Sequence, residues 1–488
     1  MSWEMVIGLE THVELATESK VFCRCSTAFG AAPNTHVCPV CMGLPGALPV
    51  FNERVLDFAA MAGLALHCHV HHRSRFDRKN YFYPDLPKAY QISQFYRPLC
   101  EHGELTVQTS GGEKRVGVTR IHIEEDAGKL VHDDEHGTML DMNRCGVPLI
   151  EIVSEPDIRT AEEAVAYLRK LRAILTYIGV SDCRMNEGSL RCDVNLSVHR
   201  PGEPFGVRAE MKNLNSFQSV ERAIKAEYER QVAALEAGEE IVQETRRFDQ
   251  RTGKTSTMRR KENSADYRNF PDPDLPETRL TDDDLTRLAA SIPTLPDQRR
   301  EAYTRDYGLT AYAAEQLTAE RWLADYFERA AALAQSPVGV ANLMQGEAFA
   351  IIASRAAAAE KRGEPATEGE ASLPIKPAHM AKLADLLADG RVNSSTGKRI
   401  LAALFDADCD PEAYAAEHAL FTVSDDGALA EVVARVLADN PDMVATYRKG
   451  KTSVVKALMG KAMALTHGKA NPERLAALLD RALPPLDE

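Results

Sequence analysis

The chain has 488 residues, of which 44% are hydrophobic and 27% charged, a composition that is typical of a folded globular protein and excludes a disordered or fibrous one. At roughly 150 residues per domain, this length predicts about three domains. The formal net charge of −14 argues against nonspecific binding of nucleic acid by the whole surface, although a local basic patch is compatible with it.

The sequence predicts neither a secretory signal nor a membrane span. The first residues, Met1 to Leu9, include Glu4 and have no basic region ahead of an apolar stretch, so a secretory signal is not predicted. No apolar run approaches the roughly 20 residues of a membrane span, and we expect a cytoplasmic protein. Ten cysteines are too few for a disulfide scaffold, and four of them lie between residues 23 and 41, which favours metal binding.

Strand-like patterns dominate residues 1 to about 290, and helical patterns dominate the rest of the chain. Period-two alternation predicts strands at Val6–Leu15, Gly117–Glu124, Leu190–Val198 and Val207–Lys212. Spacing of apolar residues predicts helices at Ala161–Ile178, Ser219–Ala237, Ala311–Ala334 and Ala378–Leu387. The stretch from Arg355 to Pro377 mixes an Ala run with Gly, Pro and charges and predicts a connection rather than core. The predicted fold class is α+β, with a mainly antiparallel sheet first and all-α regions after it.

Two pairs of cysteines form the most specific local motif. Cys23 and Cys25 are one residue apart, and after twelve further residues Cys38 and Cys41 follow with two residues between them. Each pair can offer two thiolates to one ion, and four thiolates form a closed tetrahedral zinc site with no open position for catalysis. Four free thiols that lie close together are the alternative. We predict a structural Zn²⁺ ion that anchors a long loop.

Carboxylates and imidazoles share one face of several predicted strands. In the first strand, alternation places Glu10, His12 and Glu14 on the face opposite the apolar side chains. The same alternation groups Arg120, His122 and Glu124, then Arg191, Asp193 and Asn195, and then Glu210 and Lys212. Glu151 is a single charge within the apolar strand 148–153, which is costly unless it is paired or binds a cation.

These polar faces predict a site for a divalent cation. Carboxylate and imidazole groups suit Mg²⁺ or Mn²⁺, whereas ordinary solvated faces also use Thr, Ser and Lys freely. Glu124, Glu125 and Asp126 are consecutive and repel one another unless a cation or a basic residue neutralises them. The ordinary wet face of an antiparallel sheet is the alternative for any single strand, but recurrence over several strands favours the metal.

The segment 76–94 is too rich in Lys, Arg, Tyr, Asp and Gln for a simple spacer, and it predicts a binding loop. Lys79 and Lys88 can hold phosphate or carboxylate as point charges. A structural loop with solvated charges is the alternative. The sequence contains neither a complete P-loop nor a G-x-S-x-G motif, so any nucleotide is held in another way and a serine hydrolase of that type is not supported.

Taken together, these motifs resemble the B subunit of the GatCAB aminoacyl-tRNA amidotransferases, nearly from end to end. The stretches that carry the resemblance are Ile7–Glu14, Cys38–Asn52, Phe76–Gln94, Glu124–Lys129, Asn143–Ile158, Glu187–Asp193, Glu210–Phe217 and Glu244–Asp249. The resemblance implies a catalytic cradle domain over residues 1–294, a helical domain over 295–408 and a small helical tail domain over 409–488.

The resemblance also implies a reaction and partners. A B subunit of this family uses ATP and Mg²⁺ to phosphorylate the side-chain carboxylate of Asp or Glu misacylated on tRNA(Asn) or tRNA(Gln), and ammonia then displaces phosphate. The ammonia comes from glutamine hydrolysis in the A subunit through a polar tunnel, and a small C subunit completes the heterotrimer. This chain lacks glutaminase motifs, which fits glutamine hydrolysis by a separate A subunit.

Site residues follow from the resemblance, position by position. The family's catalytic positions match Glu10, His12, Glu124, Glu125, Glu151 and Glu210, and all of these except Glu10 are predicted magnesium ligands. Residues that resemble those of the tunnel outlet and the phosphate region are Lys79, Lys88, Asp193 and Lys212. Some family members lack the four cysteines, whereas this chain has all of them.

The predicted tail has a local excess of positive charge. From Met443 to Pro472 there is no Asp or Glu. The basic residues of this stretch are Arg448, Lys449, Lys451, Lys456, Lys461 and Lys469. A solvated face is the alternative, but the contrast with the acidic remainder and the resemblance predict contact with the tRNA backbone, because phosphate neutralisation is the sequence-independent part of RNA binding.

Two other functions are compatible with parts of the pattern. One is a stand-alone metal-dependent phosphohydrolase whose C-terminal half binds RNA, and the other is a noncatalytic tRNA-binding scaffold. The scaffold does not account for Glu151 or for the repeated carboxylate faces. The hydrolase predicts turnover of ATP or a phosphoester by the isolated chain without aminoacyl-tRNA.

Overall fold

The computed structural model describes residues 3–133, 137–260, 267–422, 425–466 and 468–485. The chain divides into two compact units, one through Leu295 and the other from Pro296 onwards. Strands and helices alternate in the first unit, and the described residues of the second unit form helices without strands. The predicted α+β class is therefore confirmed.

The first unit contains the strands of the protein. These are β1 (Glu4–Glu14), β2 (His69–Val70), β3 (Arg73–Ser74), β4 (Asp77–Asn80), β5 (Tyr90–Ser93), β6 (Cys100–Thr109), β7 (Gly112–Glu125), β8 (Lys129–Asp133), β9 (Gly137–Asp141), β10 (Pro148–Ser154), β11 (Leu190–His199), β12 (Ala209–Lys212), β13 (Glu244–Asp249), β14 (Lys254–Arg260), β15 (Phe270–Pro271) and β16 (Thr278–Arg279). The helices of this unit are α1 (Glu53–Ala65), α2 (Ala161–Tyr177), α3 (Phe217–Glu236) and α4 (Asp282–Ser291).

A nine-stranded sheet with the order β14-β13-β12-β11-β1-β10-β7-β6-β2 forms the centre of the first unit. Its neighbouring strands are antiparallel except for β12 and β13, which are parallel. Strand β1 lies between β11 and β10, so its side chains have neighbours on both sides. Smaller sheets have the orders β15-β4-β5, β16-β3 and β8-β9.

The predicted alternation along β1 separates a core face from a polar face. Ile7, Leu9 and Val13 are fully or almost fully buried, whereas Glu10 and His12 are only partly buried. Helices α1, α2 and α3 pack against strands β7, β6 and β11 and supply the other half of this core. Because the helices cover one face of the sheet, the polar side chains of the central strands gather on the other.

The second unit consists of helices. These are α5 (Pro296–Tyr307), α6 (Ala311–Leu317), α7 (Arg321–Ala331), α8 (Pro337–Leu343), α9 (Phe349–Lys361), α10 (Pro377–Ala388), α11 (Ser394–Asp406), α12 (Pro411–Glu417), α13 (Asp426–Asp439), α14 (Pro441–Arg448), α15 (Val454–Leu465) and α16 (Pro472–Ala482). A π-helical turn at Met344–Ala348 joins α8 to α9, and a 3₁₀ turn lies at Gly369–Ser372.

Two sequence predictions for this unit were wrong in detail. The helix predicted at Ala311–Ala334 is two helices, because Thr318 ends α6 and Glu320 begins α7. The connection predicted from Arg355 begins later, because α9 continues through the Ala run to Lys361. Alanine has the highest intrinsic helix propensity, so this run extends the helix.

Separate groups of buried side chains stabilise the second unit. One lies between Tyr303 and Leu420, and the other lies between Leu429 and Leu483. The division of this unit near residue 408 stays a prediction. Among the described helices, none combines the length and the apolar character that a bilayer crossing requires.

Candidate active site

The first cluster of candidate ligands forms where β1, β10 and β7 lie side by side. The register pairs His12 with Glu151 and Glu151 with His122. His12 Nε2 lies 3.3 Å from Glu124 Oε1 and 3.7 Å from Glu151 Oε2. His122 Nε2 lies 3.1 Å from Glu151 Oε2. One ligand atom from each of His12, Glu124 and Glu151 lies within 4.8 Å of the others, which is the spacing that a single metal ion requires.

The carboxylates of this first cluster favour positive charge, either a proton on His12 or a metal ion that displaces that proton. Burial alone would lower the pKa of His12, but its hydrogen bond with Glu124 and the charge of Glu151 raise the pKa to about 9. Burial opposes ionisation of Glu124, yet its hydrogen bonds with His12 and His122 hold its pKa well below the usual range. Glu124 Oε2 is buried, and His122 Nε2 lies 3.6 Å from it. An ionised carboxylate is a suitable donor for Mg²⁺.

The second cluster forms where β1, β11 and β12 are adjacent. Glu10 pairs with Asp193 in the register, and one carboxylate oxygen from each of Glu10, Asp193 and Glu210 lies within 4.8 Å of the others. Lys212 Nζ contacts Asp193 and lies 3.1 Å from Glu210 Oε1, while Asn195 Nδ2 donates to Glu10 Oε1 at 2.9 Å. Burial and then the neighbouring carboxylates raise the pKa of Glu10. A cation at this position would relieve the remaining repulsion.

The structure adds three side chains to these clusters that the sequence predictions did not assign. His122 and Asn195 lie on the polar faces that alternation predicted, so the signal for them was present. Thr245 Oγ1 donates to Glu210 Oε2 at 2.9 Å, because the parallel pairing of β12 and β13 places Thr245 beside Glu210. No local pattern indicates a pairing between residues so far apart in the chain.

Members of both clusters line one cavity of about 890 Å³, a size that accommodates a nucleotide. Lys79 lies at its edge, with Nζ 5.1 Å from the centre of the Tyr267 ring and 5.7 Å from that of Tyr81. Lys79 and Lys212 also line an adjoining cavity of about 570 Å³, and Glu124 lines this adjoining cavity instead of the larger one. The predicted Lys79, Asp193 and Lys212 are thus brought together with the metal-type clusters.

The predicted Glu125 and Lys88 are placed elsewhere. Successive residues of a strand point to opposite faces, so Glu125 points away from Glu124. Lys88 Nζ lies 2.5 and 2.6 Å from the two carboxylate oxygens of Glu125, and the backbone N–H of Ile92 donates to Glu125 Oε1 at 2.9 Å. Glu125 is absent from both clusters of candidate ligands. Its carboxylate is neutralised by lysine rather than grouped with the other predicted magnesium ligands.

The four cysteines of the predicted zinc motif come together in the loop after β1. Their sulfur atoms lie within 4.8 Å of one another, and those of Cys38 and Cys41 are 3.9 Å apart. Sulfur atoms around tetrahedral zinc lie roughly 3.8 Å apart. The hydrogen bond from Cys23 lowers the pKa of Cys41, and after the opposing effect of burial the backbone N–H of Cys38 and the charge of Lys20 lower it further, to about 4. Cys41 is therefore poised as a thiolate ligand.

The cysteine loop contacts the Lys88–Glu125 pair. Gly43, two residues after Cys41, has a φ of +64°, and a Cβ at this position would collide with the side chain of Lys88. Lys20 and Lys88 line a pocket together with Cys41 and Glu125. The cysteine loop thus packs against the face of β7 that carries Glu125, which is opposite to the face that carries Glu124 and the first cluster.

The basic side chains of the tail lie on α14 and α15 and beside them. Five of them, Arg448, Lys449, Lys451, Lys456 and Lys461, are exposed, and Lys469 is half-buried. Their exposure makes them accessible to a large anionic partner.

Two protein-family models match the chain, one in its N-terminal part and one in its C-terminal part. Residues 5–286 match the model described as the GatB/GatE catalytic domain, and residues 325–483 match the model described as the GatB domain. The chain belongs to the GatB family. The resemblance that the sequence motifs indicated is confirmed.

Relatives within the GatB family match this chain over almost its full length. Three of them are named as the B subunit of aspartyl/glutamyl-tRNA(Asn/Gln) amidotransferase. The protein from Caldicellulosiruptor saccharolyticus is 48% identical over 485 residues, covering 99% of both chains. That from Lachnoclostridium phytofermentans is 46% identical over 483 residues, covering 99% of both, and that from Carboxydothermus hydrogenoformans is 48% identical over 482 residues, covering 98% of both.

The candidate active site and the basic tail lie in segments that match different family models. Both carboxylate clusters, the cysteine motif and the Lys88–Glu125 pair lie within the segment that matches the GatB/GatE catalytic domain. The basic residues of the tail lie within the segment that matches the GatB domain.

Proposed function

We propose that this chain is the B subunit of a glutamine-dependent amidotransferase that converts Asp-tRNA(Asn), Glu-tRNA(Gln) or both into Asn-tRNA(Asn) and Gln-tRNA(Gln). The observation that carries the proposal is the pair of carboxylate clusters, His12–Glu124–Glu151 and Glu10–Asp193–Glu210, whose members line two adjoining cavities. The names of relatives that cover the whole chain support the same activity. The partners of the chain would be the A and C subunits and the tRNA.

The reaction requires that a carboxylate be converted into an electrophile. ATP phosphorylates the side-chain carboxylate of the misacylated residue, and ammonia then displaces phosphate. We assign one Mg²⁺ ion to His12, Glu124 and Glu151 and a second ion to Glu10, Asp193 and Glu210. When bound, such ions neutralise phosphate oxygens during phosphoryl transfer.

Neighbouring residues of the chain orient these ligands and offset their repulsion. Asn195 and Thr245 donate to Glu10 and Glu210, which fixes the directions of the two carboxylates. Lys212 contacts both Asp193 and Glu210 and offsets their repulsion. Asp193 is thereby proposed as a ligand rather than as a tunnel residue.

The remaining lysines and the cysteines have separate roles in this proposal. Lys79, at the edge of the cavity, supplies positive charge towards the phosphate groups. Lys88, paired with Glu125 on the other side of β7, belongs to the route by which ammonia from the A subunit arrives. The four cysteines hold a structural Zn²⁺ ion, and the buried ammonium group of Lys20, 3.7 Å from the Cys41 sulfur, offsets the charge of the thiolates.

Reconstitution tests the proposed function. The chain would be combined with its A and C partners and assayed for amidation of Asp-tRNA(Asn) and Glu-tRNA(Gln) in the presence of ATP and glutamine. We expect amidation of at least one of them, with one ATP consumed per amide formed. Absence of amidation of both tRNAs would contradict the proposal. Turnover of ATP by the isolated chain without aminoacyl-tRNA would favour a phosphohydrolase instead.

We predict that a double charge reversal in α15, Lys456→Glu with Lys461→Glu, weakens binding of the tRNA and lowers its salt dependence. Removing one phosphate interaction reduces the slope of log K against log salt by about 0.7 to 0.9. The slope is measured by filter binding or anisotropy over a series of salt concentrations. The control with an equal change in charge is Lys361→Glu with Lys376→Glu, outside the tail, which should leave the slope unchanged. Equal slopes for both double variants would remove these lysines from the interface.

A further inference from the structure

Arg120 lies in the same cross-strand row as the second carboxylate cluster. Glu10 pairs with Asp193 on one side and with Val153 on the other, and Val153 pairs with Arg120. Arg120 is therefore two strands away from Glu10, a backbone separation of about 10 Å. All four side chains line the same cavity. Val153, which lies between Glu10 and Arg120 in this row, contributes only a short apolar side chain.

The neighbours of Arg120 leave its guanidinium group available to a ligand. On the side away from Glu10, the register pairs Arg120 with Glu101, but the Glu101 carboxylate lies 2.7 Å from His71 Nε2. Within the described parts of the chain, no carboxylate forms an ion pair with Arg120. Its guanidinium carbon lies 5.8 Å from the centre of the Phe95 ring. Arg120 is half-buried and faces the cavity.

The lysine beside the second cluster is already occupied. Lys212 contacts Asp193 and Glu210, so its positive charge is neutralised within the cluster. A guanidinium group presents a planar set of donors that matches phosphate oxygens bidentately. A polyphosphate with one end at a metal ion held by Glu10 can therefore place its other oxygens against Arg120.

We propose that Arg120 binds the phosphate chain of the nucleotide and neutralises the phosphoryl group during its transfer, an inference that rests on the proposed function. In this step an oxygen of the substrate carboxylate forms a bond to the terminal phosphorus. The bond between that phosphorus and its bridging oxygen breaks, and the electron pair leaves with the nucleoside diphosphate. Arg120 stays protonated throughout and donates to the phosphate oxygens.

The expected effect is larger on turnover than on binding. Because negative charge on the transferred group and the leaving oxygen changes during the reaction, a donor placed there stabilises the transition state more than the ground state. We expect Arg120→Ala to lower the kcat of amidation on the order of 10²- to 10³-fold and to weaken nucleotide binding less. Arg120→Lys keeps the charge but loses the planar pair of donors, and we expect an intermediate kcat.

The test compares these variants with Arg115→Ala. Arg115 lies on the same strand but is paired with Glu104 outside the cavity, so its removal should leave both measurements unchanged. Binding of Mg²⁺ with AMP-PNP to the full chain is titrated, and the kcat of the reconstituted complex is measured with and without guanidinium ion at a concentration below that which unfolds the chain. Thermal unfolding identifies any variant that fails to fold, in which case Arg120→Lys replaces Arg120→Ala.

Weaker AMP-PNP binding by Arg120→Ala, a lower kcat and partial rescue of kcat by guanidinium ion would support the assignment. A folded variant with unchanged binding and unchanged kcat would overturn it, as would a wild-type chain that does not bind AMP-PNP. If the wild-type complex amidates neither tRNA, the proposed function fails, but the comparison of AMP-PNP binding still decides the role of Arg120.

Discussion

Replacement of Glu124 by Gln is expected to reduce tRNA amidation by about three orders of magnitude while the glutaminase activity of the A subunit continues. The two oxygens of Glu124 each face a histidine, Oε1 at 3.3 Å from His12 Nε2 and Oε2 at 3.6 Å from His122 Nε2. Glutamine keeps the shape but removes the charge and replaces one oxygen by a donor. A bound metal ion stabilises the transition state by several kcal/mol, which corresponds to roughly this loss in rate. The measurement is the initial rate of amidation beside the rate of glutamate release.

The adjacent variant Glu125→Gln is the matched control for the metal site. Since Glu125 pairs with Lys88 away from the cluster, this variant should bind Mn²⁺ as tightly as the wild type, whereas Glu124→Gln should bind it at least 10-fold more weakly. Amidation is expected to fall in both variants, because breaking the pair leaves the Lys88 charge uncompensated. Retained amidation by Glu124→Gln, or equal Mn²⁺ affinities for the two variants, would contradict the proposed site.

The polar face of the site could be predicted because a strand has a fixed period of two residues. Alternation alone placed Glu10 and His12 opposite the apolar side chains of β1, and the structure has this arrangement. Glu151 stood out for a different reason, since a single charge in an apolar strand must have a partner. The structure supplies His12 and His122 as its partners.

Which strands are neighbours could not be predicted from alternation. The pairing of Glu210 with Thr245 depends on a parallel contact between β12 and β13, whose register is set by packing of the whole sheet. Alternation also separates Glu124 from Glu125, yet both were assigned as magnesium ligands because both match the family's positions. The break between α6 and α7 could not be predicted either, because the composition of this run favours one continuous helix. Thr318 ends α6, and Glu320 begins α7.

Removal of one cysteine sulfur is expected to release the zinc ion and to destabilise the first unit by several kcal/mol. Zinc contributes on the order of 10 kcal/mol to the folding of isolated modules, and here it would hold the loop between β1 and α1. Metal analysis should find about one zinc per chain in the wild type and none in Cys41→Ser. Denaturant unfolding measures the loss of stability, and Cys409→Ser, which changes a cysteine outside the cluster, is the control.

The loss of zinc should also affect the active site, because the cysteine loop contacts the Lys88–Glu125 pair. Gly43 lies against the Lys88 side chain, and Glu125 directly follows Glu124 in β7. We therefore expect Cys41→Ser to lower amidation at temperatures where the chain is still folded, and Lys20→Met to weaken zinc binding while keeping all four sulfur atoms. The zinc released to a chromogenic chelator is measured for both variants. A wild-type chain without zinc would show that the cysteines are free thiols, and a full complement of zinc in Cys41→Ser would show that Cys41 is not a ligand.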